Sequence, residues 1–167
     1  MLTETSSKHS RDAEPVQITK LAAEEQTRRI QSAIARRAYE IFVSRGSAPW
    51  HELEDWQTAE QQLLITACHG RTMLGANLWL GTSISRFCEG SIGIWVAPRQ
   101  LTIFGKPRAA KKSAPDKPGA LPPVETLFRV IPLPVEIDPA SVSARIRGLS
   151  LEIVASKAPA HSHPVAA

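Results

Sequence analysis

From Val124 to Lys157 apolar and polar residues alternate with a period of two. Leu127, Ile131 and Leu133 alternate with Arg129 until Pro132 and Pro134 halt the run. Val142, Ala144 and Ile146 alternate with Ser143, Arg145 and Arg147. After Gly148 the pattern resumes as Leu149, Leu151, Ile153 and Ala155. Such spacing predicts strands with one face on a core, and a glycine between two runs predicts a hairpin turn. Ile92 to Val96 and Leu101 to Phe104 read as two further strands separated by Ala97-Pro98-Arg99.

The N-terminal half has another period. Ile30, Ile34, Ala38, Ile41 and Phe42 recur at steps of three and four, which predicts a helix over 21–45 with one apolar stripe. Gly46 falls where that helix stops. A second helix is predicted within His51 to Leu64, with Trp56, Ala59, Leu63 and Leu64 on its inner face. Two helices joined by a short connection form a hairpin, which alone buries too little and must pack on something or dimerise. Residues 65–90 are apolar without a steady period; one strand is expected near Leu64 to Cys68. Residues 106–123 are a Pro/Lys-rich loop. Residues 1–20 and 158–167 are expected to be disordered tails. The predicted class is α+β: a helical hairpin over 21–64, then an antiparallel β-sandwich over 65–157.

Composition narrows the function classes. The 167 residues suffice for one ordinary domain, and 43% hydrophobic content supports a core, whereas 13 prolines and 9 glycines imply much irregular chain. A net charge of +4 is small for a nucleic-acid binder. Basic residues gather only at Arg28, Arg29, Arg36 and Arg37, and at Lys106, Arg108, Lys111, Lys112 and Lys117; solvated faces and a soluble linker account for both. Cys68 and Cys88 have neither metal-ligand nor redox-pair spacing and are expected to be free, buried, reduced thiols. The first twenty residues lack a signal peptide's apolar core, and the longest uncharged run, Thr72 to Ser85, is shorter than a spanning helix needs. The expected location is the cytoplasm, with no membrane partner.

The strand pieces resemble the α-crystallin domain of small heat-shock proteins. The matching segments are Ala97 to Lys106 (APRQLTIFGK), Leu127 to Pro134 (LFRVIPLP), Ile137 to Arg145 (IDPASVSAR) and Leu149 to Lys157. The resemblance implies an immunoglobulin-like β-sandwich without cofactor or catalytic group, a homodimer or small oligomer, and binding of partially unfolded proteins without ATP in the stress response. Departures accompany it. His69-Gly70 stands at the family's Pro-Gly turn, and Leu149-Ser150-Leu151 at its Gly-x-Leu motif. The tail from Ala158 lacks an Ile-x-Ile anchor, and residues 106–123 lack an apolar strand to exchange. Arg37 to Phe42, Gly46 and Asp55 to Glu60 resemble a short bacterial domain of unknown function that occurs as a helical hairpin.

No chemistry-bearing constellation competes with this reading. His51, His69, His161 and His163 do not assemble a metal-ligand set, no nucleophile elbow accompanies the serines, and the glycines have no phosphate-loop spacing. Trp50, Trp56 and Trp79 are expected in the core, and Asp55 and Glu60 as solvated helix charges. The expected function is holding apolar segments of clients by strand addition at sheet edges. Ile92 to Val96 and Val142 to Arg147 are the expected edges, so Ile94, Ala144 and Ile146 are the candidate groove residues. Arg129, Leu149 and Leu151 are candidate structural or interface residues. The alternative is an adaptor module with one dedicated protein or nucleic-acid partner.

Overall fold

The computed structural model describes residues 16–66, 69–108 and 120–159. Two helices, α1 (Ala23–Ser44) and α2 (Glu52–Leu63), follow a short strand β1 (Gln17–Lys20). Seven strands complete the chain: β2 (His69–Leu74), β3 (Asn77–Ser83), β4 (Gly93–Ala97), β5 (Gln100–Gly105), β6 (Leu127–Pro132), β7 (Ser143–Arg147) and β8 (Ser150–Ser156). They form two four-stranded sheets with orders β1-β4-β5-β6 and β2-β3-β8-β7. Every pairing is antiparallel except β1 with β4, which is parallel.

The apolar alternation explains the sandwich. Leu78 and Leu80 of β3, Ile94 and Val96 of β4, Leu101 and Ile103 of β5, Ile131 of β6, and Leu151 and Ile153 of β8 form the core between the sheets. A second apolar cluster lies on the other face of the first sheet, where Ile30, Ile34, Ile41, Ala59 and Leu63 of the helices meet Trp95 and Phe128. The helical hairpin therefore roofs one sheet, making three layers. With both faces covered, every residue of β4 is buried. The buried Gln26 fastens the roof: its amide donates to the Leu21 carbonyl at 2.7 Å and accepts from Thr102 Oγ1 at 2.7 Å and Gln100 Nε2 at 3.1 Å. A buried amide bonded through both its nitrogen and its oxygen fixes the register of helix against sheet.

Several expectations change. Residues 17–20 are a strand rather than part of a disordered tail; residues 1–15 of that tail lie outside the described residues. The strand expected over Leu64 to Cys68 is absent from its described part, where Leu64 makes a single bridge to Phe128. The irregular middle is instead the hairpin β2–β3, turning at Gly75 with φ +60°. His69-Gly70 lies inside β2 and makes no turn. Leu149 belongs to the two-residue turn with Gly148 and is exposed, so inward alternation begins at Leu151. Ala158 is tied down by its N–H donating to the Glu136 carbonyl at 2.9 Å. Cys88 is free but exposed, and Cys68 lies outside the described residues.

Candidate partner-binding margin

The two sheets stack so that β6 lies over β2 and β3. Arg129 of β6 donates to Thr82 Oγ1 and, at 2.6 Å, to the Ser83 carbonyl, and Arg71 of β2 reaches the Pro132 carbonyl at 3.3 Å. The opposite margin of the sandwich therefore sets β1 over β7. The two strands differ in origin. β7 is the end of its sheet, so one side of its backbone has no ladder partner among the described residues. β1 is an addition to the other sheet, covering the side of β4 that would otherwise be an edge.

Of the three candidate groove residues, Ala144 and Ile146 are half-buried on β7, packed against the core cluster with Val142. Ile94 is 0% exposed, because β1 covers its strand and its side chain joins the central core. The place an edge groove would occupy is held by Val16 and Ile18, half-buried against the same cluster. The N–H of Leu21 closes this pairing, donating to the Val96 carbonyl at 3.0 Å. Ile94 thus lines no open groove, and the accessible part of the margin is β7.

Beyond β7 lies a shallow trough on the uncovered face of β3-β8-β7. Trp79 pairs with Val154, and Val154 with Ser143, in one row; Gly81, Glu152 and Arg145 make the next. Trp79, 44% exposed, is one wall of a depression of about 220 Å³ lined also by Arg145, Arg147, Glu152 and Val154. Nothing lies within 4 Å of where a Cβ on Gly81 would be, so the floor is bare. Arg147 pairs with Glu152 at 3.3 Å, leaving Arg145 as the cation without an ion pair at this rim among the described residues. An apolar, aromatic and cationic rim beside an open strand edge is the chemistry for receiving an extended peptide.

Arg129 is buried inside the sandwich. It is 3% exposed, and its Nε is buried with no hydrogen-bond partner among the described residues. Burial, reinforced by the nearby Arg86 charge, pushes its pKa below the usual arginine value. Leu151 is a core residue at the sheet centre, and Leu149 an exposed turn residue.

The basic residues of α1 are engaged locally. Arg28 and Arg29 pair with Glu25, Arg36 with Glu125, and the buried Arg37 with Glu40, Gln62 and the Pro122 carbonyl. Asp55 is buried rather than solvated, and the Arg45 guanidinium bound to it holds its carboxyl below the usual carboxylate range. Glu60 accepts from Trp56 Nε1 at 2.9 Å. Trp56 packs against the helix–sheet cluster, whereas Trp50 and Trp79 are exposed, contrary to expectation. Among the described residues no three His, Cys, Asp or Glu side chains gather as metal ligands, and no helix is long and apolar enough to cross a membrane.

Comparison with known proteins gives two kinds of likeness. Residues 30–65, the helical hairpin, match a family described as a protein of unknown function, DUF2934. Heat shock protein 16.0 from Schizosaccharomyces pombe is similar in structure at 13% identity and a TM-score of 0.45, over 60% of this chain and 80% of that one. HSP18.5 from E. histolytica is similar at 14% identity and 0.43, over 57% and 91%. A small heat-shock protein from Xylella fastidiosa is similar at 16% identity and 0.42, over 57% and 89%. No curated protein matches the chain by sequence.

Proposed function

We propose that this chain is a binding protein that holds extended apolar segments of partially unfolded proteins without ATP, and that it receives them at the β7 margin. The observation that carries this reading is the pairing of an open strand edge with half-buried Ala144 and Ile146 and the Trp79 trough. An added strand gains main-chain hydrogen bonds from β7 and sets alternate side chains beside Ile146. β1 fits the same scheme as an internal segment already docked on β4. It has only four residues, and only Ile18 within it and Val16 just before it pack on the core, so it competes weakly with a longer client for that side of the margin.

The test is light scattering of a heat-denatured model client with and without the full chain. Suppression near stoichiometric ratios is expected. Ile146→Glu, a half-buried edge position, should abolish suppression while leaving the far-UV spectrum intact; unchanged suppression by that variant would remove the β7 margin from the reading. A second reading, an adaptor with one dedicated partner, is favoured by a different observation: β4, one of the two expected edges, is already paired within the chain. A folded wild-type chain that protects no client selects it.

A further inference from the structure

β7 already has one strand laid along it, and that strand shows what β7 accepts. β8 sets Ile153 opposite Ala144, Glu152 opposite Arg145 and Leu151 opposite Ile146. Ile153 and Leu151 are buried in the core, while Glu152 stands on the outer face. β7 is thus complemented by a triplet with a carboxylate between two aliphatic side chains. The match is incomplete in one respect. The Glu152 carboxylate bonds diagonally to Arg147 Nε at 3.3 Å rather than to Arg145, which it faces across the ladder. Among the described residues Arg145 therefore has no ion-pair partner, although it is the central residue of the strand that ends the sheet.

A strand added on the open side of β7 meets the same three side chains. Residues directly opposite one another across a ladder share a face, and successive residues alternate. Two side chains of the incoming segment then point inward beside Ala144 and Ile146, and the one between them stands level with Arg145 on the outer face. Arg145 lines the same depression as Trp79 and Val154. A carboxylate meeting it there is partly withdrawn from water, which strengthens the attraction. A lysine or arginine at that position would face a like charge directly opposite, which destabilises the pairing. An inward-pointing charge would close this edge against any added strand, but both inward positions of β7 are apolar.

We propose that the β7 margin selects extended segments of the pattern aliphatic–acidic–aliphatic. The central carboxylate pairs with Arg145, and its neighbours take the places that Ile153 and Leu151 hold on the other side of β7. This inference rests on the reading of β7 as the receiving edge and adds the chemistry of the segment received. Apolar segments interrupted by an acidic residue are then held in preference to those interrupted by a basic one.

The test is fluorescence anisotropy of labelled peptides titrated with the full chain, identical except for a central Val-Glu-Ile, Val-Gln-Ile or Val-Lys-Ile. The glutamate peptide should bind about two- to fivefold more tightly than the glutamine one, the range of an exposed cross-strand ion pair. The lysine peptide should bind more weakly than either. Raising the salt from about 0.05 to 0.5 M should compress the series. In Arg145→Gln the affinities should converge, and in Arg145→Glu their order should reverse. Because these ratios are read within each variant, a general change in affinity does not disturb them. Equal binding of all the peptides, lost in Ile146→Glu, would overturn the selectivity and leave β7 as the receiving edge. An unchanged order in Arg145→Glu would overturn it likewise. Binding that survives Ile146→Glu, or no binding of any peptide, would remove β7 itself and the selectivity with it. Should oligothymidylate bind where no peptide does, weakened by Arg145→Glu, the occupant is single-stranded nucleic acid and the proposal falls.

Discussion

The two sheets are built from similar strands but are treated differently by the rest of the chain. The β1-β4-β5-β6 sheet has a helical roof over its outer face and a fourth strand borrowed from the N-terminus at its margin. Among the described residues the β2-β3-β8-β7 sheet has neither: its outer face exposes Trp79, Arg145 and Arg147, and β7 ends it. The first sheet carries Trp95, Phe104 and Phe128 on its outer face; the second carries mainly small or polar residues, Gly70, Thr72, Gly81, Glu152 and Ser150, interrupted by Leu74, Trp79 and Val154. A large apolar outer face compels a cover, whereas a small, polar one does not. Surface left for partners is therefore on the second sheet.

The contrast is sharpest in stability. Ile34→Ala, at the roof–sheet contact, should cost about 2–4 kcal/mol, while Trp79→Ala on the bare face should change stability by roughly 0.5 kcal/mol or less; urea unfolding measures both. Comparable losses would mean the bare face is also covered. Gln26→Leu should follow at about 1–3 kcal/mol, because it leaves the buried Thr102 hydroxyl without its acceptor. Replacing Val16 and Ile18 together by serine should cost less, about 1–2 kcal/mol for two half-buried side chains. That variant should also suppress client aggregation at lower ratios than wild type, since the β4 side is freed. If suppression falls instead, β1 is part of the receiving surface rather than its competitor.

The smallest expected effect concerns pH. Asp55 has its folded pKa lowered, first by the hydrogen bond from Arg45. Its contribution is fully present above the unfolded value of about 3.9 and is lost as pH falls through the folded pKa. Thermal melts between neutrality and about pH 3 should therefore show a decline that Asp55→Asn lacks. A parallel decline in both proteins would assign the acid sensitivity elsewhere.

Much of this architecture is legible in the sequence, and the failures have physical reasons. The helices, β7 and β8 announce themselves because their apolar spacing matches one buried face each, and β5 and β6 because they are short, largely apolar runs between turn residues. β3 has an equally clean alternation, with Leu78, Leu80 and Thr82 inward. Trp79 pointing outward disguises it, since a tryptophan reads as core. β1 offers one apolar residue within its four and owes its existence to a parallel partner distant in sequence, a contact no local pattern encodes. Ile94 illustrates the consequence. Its strand was predictable, but whether that strand is an edge depends on β1. Ala144 and Ile146 stay on an edge strand because β7 ends its sheet among the described residues. Residue type alone assigns Trp50 to the core, and only its backbone conformation and exposure mark it as a surface feature.

The pairing of Gln17 with Gly93 also imposes an order on assembly. During synthesis the segment carrying Val16 and Ile18 emerges well before β4 or β7 exists, and α1 and α2 emerge before the sheet they roof. At about 5–20 residues per second the wait lasts several seconds, during which the hairpin's apolar stripe and the future β1 have no surface to dock on. Because its partner is so far along the chain, β1 adds a long-range contact of the kind that slows folding. A newly made copy therefore carries β1 without a partner strand until β4 has been made.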